Sequence, residues 1–72
     1  MKLLSVVPEL GGNLQVAWAK PEGGEHRTLI PKGGDVAAHL KDVGSHMGFD
    51  PSEDLMVVQA FAEKAWGKDG NT

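Results

Sequence analysis

Residues 33–51, GGDVAAHLKDVGSHMGFDP, mark the place where the chain changes its period. Val36, Leu40, Val43 and Met47 recur at three- and four-residue steps, which puts them on one side of an α-helix. Asp35 stands where an N-cap belongs, and Gly48 where a left-handed C-terminal stop belongs. The tetrapeptide Gly44–Met47, GSHM, is also a remnant left by cleaved affinity tags. Met47 continues the apolar row in phase, so the tetrapeptide reads as part of the helix.

Upstream of residue 33 the pattern is different. Three double glycines (Gly11-Gly12, Gly23-Gly24 and Gly33-Gly34) separate short runs with strand character. In NLQVAWA, residues 13–19, Leu14, Val16 and Trp18 alternate with Gln15 and Ala17, the period of a half-buried strand. KLLSVV before it and HRTLI after it are stopped by Pro8 and Pro31. Downstream, FDPSEDL opens a second helix. Asp50 is the expected N-cap, Pro51 the first helical residue, and Glu53 and Asp54 place negative charge in the first turn. On this reading Asp50→Ala costs more stability than Asp54→Ala. The helix should end at Trp66 and Gly67. The expected fold is α+β, a three-stranded antiparallel β-meander followed by two α-helices packed on one face (β-β-β-α-α). Residues 1–67 form the single domain and 68–72 a frayed tail.

Composition narrows the function classes. A chain of 72 residues without cysteine has neither disulfides nor thiolate metal sites to reinforce a small core. The apolar run after Lys2 ends at Pro8, too short for a leader peptide or a membrane span, so a cytoplasmic protein is expected. Ten acidic against seven scattered basic residues leave a net charge of -3, and Arg27 is the one arginine. Duplex binding relies on clustered Lys and Arg, which are lacking here. PKGGD, residues 31–35, resembles a phosphate loop in its glycines alone, and Asp35 would repel phosphate from that helix start.

Asp35, His39, Asp42 and His46 form a second row beside the apolar one, at i, i+4, i+7 and i+11. Such a row invites a metal reading, but it extends about 16 Å along a helix, too far for four ligands to share one ion. A polar row bordering an apolar row inherits the same spacing, so solvated border residues are expected, with no metal or cofactor bound. For catalysis, Ser5, Ser45 and Ser52 lie in a strand and on helices, outside any nucleophile motif. No catalytic residue is assigned, and a non-enzymatic protein is expected.

The more informative feature is apolar surplus. Leu55, Val58, Ala62 and Ala65 make the core-facing stripe of the second helix, while Val57 and Phe61 widen it on one side and Trp66 on the other. In strict alternation the first strand is apolar on both faces, with Leu4 and Val6 on one and Leu3 and Val7 on the other. An edge strand of that kind is a pairing liability. Leu3, Val7, Val57 and Phe61 are therefore the candidate interface residues, the strand being favoured over the helix. The expected function is a protein–protein interaction module, homo-oligomeric with a dimer favoured, serving as an assembly component or a small inhibitor docked on a larger complex. A nucleic-acid-binding regulator and a small metal-binding protein are the alternatives. The size is that of many short bacterial and viral proteins, with no motif behind the comparison.

Overall fold

A computed structural model describes residues 1–67 of the chain; the tail expected at 68–72 lies outside the described residues. Its elements run β1 (Lys2–Pro8), β2 (Leu14–Ala19), β3 (Glu25–Ile30), α1 (Val36–Met47) and α2 (Ser52–Trp66). The strands form one antiparallel sheet in the order β1-β2-β3, the expected meander.

Local chemistry explains most of these boundaries. Between β2 and β3, Gly23 N–H donates to the Lys20 carbonyl and Lys20 N–H to the Gly24 carbonyl, both at 3.0 Å. Gly23 and Gly24 both have positive φ, which a side chain would resist. Asp35 caps α1, its carboxylate accepting from Ala38 N–H at 3.1 Å. Gly48 closes the helix in the left-handed conformation, and the Gly44 carbonyl accepts from both Gly48 and Phe49 N–H.

The start of α2 differs from expectation by one residue. Pro51 is the cap and Ser52 the first helical residue. Asp50 nonetheless acts as a cap, accepting from Ser52 N–H at 3.0 Å and from the Ser52 hydroxyl. These two bonds, the hydroxyl's first, hold the Asp50 carboxyl below the usual aspartate range. Folding lowers this pKa, so its contribution is present above the ordinary value of 3.8 and is lost as pH falls through the lower folded value.

Both helices contribute to one core on one side of the sheet. Leu14, Val16, Trp18 and Ile30 rise from the strands to meet Val36, Leu40 and Val43 of α1 and Val58 and Ala62 of α2. The three inward residues of β2 are fully buried, as the alternation implied. Trp18 is the node. Its ring lies 6.3 Å from His26 and meets Phe49 edge-on at 6.0 Å, and its indole N–H donates to Asp54 Oδ2 at 2.9 Å. Trp66 packs against the same core and donates its indole N–H to the Gly12 carbonyl, pinning the end of α2 to the first turn. Trp18 is thus a core residue and Trp66 a partly buried one packed against it from the margin, each with its polar edge satisfied.

One expectation about β1 is corrected. Leu3 faces Trp18 while Ser5 faces Ala17, so Leu4 is an extra residue and the strand is bulged there. The bulge shifts the phase by one. Leu3 and Val6 both pack toward the core, whereas Leu4 and Val7 are about half exposed. Leu3 and Val7 therefore lie on opposite faces, contrary to strict alternation. Ala65, expected in the core stripe of α2, is exposed.

Candidate interaction surface

The acid–histidine row is placed as a helix border. Asp35 is committed to the cap, and His39 Nδ1 lies 2.9 Å from the Asp35 carbonyl one turn back. His26 is held against Trp18. Among the described residues no group of three His, Cys, Asp or Glu side chains is placed to hold a metal ion. Replacing His39 and His46 together by glutamine should change stability by less than about 1 kcal/mol, as border substitutions do. Urea denaturation with and without zinc checks this: a parent protein that zinc stabilises by several kcal/mol, an effect the double variant loses, would return the row to a ligand role.

A groove of about 480 Å³ separates α1 from the start of α2, floored by Ala37, Leu40, Gly44, Phe49 and Leu55. Its polar rim includes Asp50 and Ser52, which are bonded to each other.

The apolar surplus is real and is distributed over two regions. On the open face of the sheet, Val7, Gln15 and Leu29 share one cross-strand row. Beside that row stands the exposed pair Arg27–Glu25, at 2.9 Å. Val7 and Leu29 are 47% and 48% exposed. The second region is the outward side of α2. Val57 and Phe61, one turn apart, are 43% and 45% exposed, and Met56 beside them is 75% exposed. Of the four residues expected at an interface, the structure brings Val57 and Phe61 together and places Val7 elsewhere. Leu3 is partly buried and packs against the core. Met56, Leu29 and the fully exposed Leu10 were not foreseen. Met56 lies outside the apolar arc that the core stripe suggests, so only its surroundings reveal that it is uncovered.

The free edge of β1 is less inviting than its composition. Glu9 N–H bonds to the Asn13 carbonyl at 2.7 Å, and this pairing continues the β1–β2 register. In an antiparallel ladder alternate residues point their backbone groups to the partner, so Val7 and Ser5 face β2 while Val6 and Pro8 face outward. Pro8 has no N–H to offer, and the bulge at Leu4 interrupts the other half of the edge. Both are devices that blunt an edge strand. The flank of α2 has no such protection. Phe61 and Ala65 border a small hollow with Pro8 and Lys64, on the same side of the molecule as β1.

Taken by fold and surface, the molecule is a small α+β domain with a two-helix layer on one face of a three-stranded sheet and an uncovered apolar helix flank. No helix among the described residues is long and apolar enough to cross a membrane. No family model matches the chain, and neither a curated protein nor a solved structure is significantly similar to it.

Proposed function

We propose that the protein is a non-enzymatic protein–protein interaction module that associates with itself, as an assembly component or as a small inhibitor of a larger complex. The observation that carries this reading is the outward side of α2, where Met56, Val57 and Phe61 are exposed, with Val57 between the other two. Three large apolar side chains within two turns of one helix make a patch, whereas single exposed apolar residues are ordinary. A chain this small gains most by covering such a patch with its own copy, since twofold pairing is the commonest arrangement. The nucleic-acid alternative loses support because Trp18 is fully buried and offers no face for a base to stack on.

Size exclusion coupled to light scattering tests the reading. The expected result is a mass above the 7.6 kDa of one chain, falling toward it on dilution. Phe61→Glu should abolish the association, because it would bury an unpaired charge in the helix interface. Val7→Lys, on the sheet, should leave it unchanged. The opposite pattern would move the interface to the strand, and a folded monomer at millimolar concentration would end the proposal.

A further inference from the structure

We infer that two copies pair through α2 in antiparallel orientation, Val57 of each against Ala60 of the other, with Glu53 of each meeting Lys64 of the other at both ends. This pairing rests on the self-association proposed above and specifies its geometry. Glu53, Val57, Ala60 and Lys64 are spaced i, i+4, i+7 and i+11, which places them on one seam along the outward side of α2, and all four are exposed. Met56 and Phe61 flank that seam on opposite sides. The seam is apolar at its centre and carries one charge of each sign at its ends. Neither Glu53 nor Lys64 forms an ion pair with another described residue.

The occupant follows from this charge arrangement. A parallel pair of such helices would set Glu53 against Glu53 and Lys64 against Lys64, like charges at both ends. An antiparallel pair about a twofold axis between Val57 and Ala60 brings opposite charges together twice. The small side chain of Ala60 gives Val57 of the partner room at the centre, and the larger Met56 and Phe61 close over the two sides. The seam is therefore complementary to itself in sign, in size and in length. Axial position agrees as well, because Glu53 and Lys64 are equidistant from the centre of the Val57–Ala60 segment. A helix of 15 residues is about 22 Å long, so the contact is small by the standard of permanent dimers and a reversible one is expected.

Charge reversal tests the pairing separately from self-association as such. Wild-type chain, Glu53→Lys and Lys64→Glu are compared by sedimentation equilibrium from micromolar to millimolar concentration. Each variant alone places two like-charge contacts where two attractive ones stood, and its self-association should weaken at least about tenfold. An equimolar mixture of the two variants should recover the wild-type affinity as a one-to-one heterodimer. Wild-type protein that dimerises as strongly as both variants would leave self-association standing and overturn this pairing. A wild-type chain monomeric at millimolar concentration would overturn both. If circular dichroism shows that Glu53→Lys does not fold, oxidation of a Val57→Cys and Ala60→Cys mixture gives an independent answer, since the described chain has no cysteine of its own. A heterodisulfide is then expected to predominate. A predominance of either homodisulfide, or no cross-linking at all, would overturn the antiparallel seam.

Discussion

Asp54→Ala is expected to destabilise the domain by about 2 kcal/mol, lowering the thermal midpoint by roughly 10 °C. Asp54 accepts the indole N–H of Trp18 at 2.9 Å, and Trp18 is fully buried at the centre of the core. Removing the carboxylate leaves that N–H without its acceptor, and hydrogen bonds to charged groups contribute about 1.5–3 kcal/mol. The favourable interaction of a carboxylate with the first turn of α2 is lost as well, typically 0.3–1 kcal/mol, about the gain from alanine's better helix propensity. The indole bond therefore decides the outcome. Asp54→Asn keeps an acceptor at the same place and should recover about half of the loss. Asp50→Ala, which frees a single backbone donor at an exposed cap, should lower the midpoint less. This reverses the ranking that the sequence suggests for the two acids. Thermal melts of the three variants settle it, and equal midpoints for Asp50→Ala and Asp54→Ala would show that the indole contact is unimportant.

Gly44→Ala should also destabilise the protein, although alanine is the better helix former. Gly44 lies inside α1, is buried, and sits where the chain returns toward α2. A Cβ there would stand 2.6 Å from the Phe49 carbonyl oxygen and 2.7 Å from Pro51 Cδ. Neither atom belongs to a flexible side chain. The Phe49 backbone is held by its own N–H bond to the Gly44 carbonyl at 3.0 Å, and Pro51 carries the first hydrogen bond of α2 on its carbonyl. Relief would shift the loop and withdraw the Phe49 ring from Trp18. Overpacking of this kind costs about 1–3 kcal/mol and occasionally more, against a helix gain of about 1 kcal/mol. A net loss of about 2 kcal/mol in urea denaturation is the expected result. Ser45→Ala, one residue along at an exposed position, should be neutral or slightly stabilising. A stabilised Gly44→Ala would mean that the two helices do not approach as closely as described. The same contact accounts for the glycine of the Gly44–Met47 tetrapeptide as a packing requirement of this fold.

The features legible in the residues alone were local. The change of period at residue 35, the cap at Asp35, the left-handed Gly48 and the glycine turns depend on residues within about one turn of each other. That is why the element order, the buried rows Leu14–Val16–Trp18 and Val36–Leu40–Val43, and both helix ends could be read directly. The features that emerged on packing concern residues far apart in the chain. Leu3 and Val7 were assigned to one face because a strand's period is 2, and a single bulged residue at Leu4 cancels that assignment. Nothing near Asp54 announces that Trp18, 36 residues away, will use it. The candidate surface divides in the same way. Val57 and Phe61 stood out as an excess of apolar width, but the exposure of Met56 and the blunting of β1 at Pro8 depend on what packs beside them. Backbone propensity acts over one helical turn or one strand pair. Burial is set by whichever distant segment arrives to cover a side chain, and that arrival is a property of the folded whole.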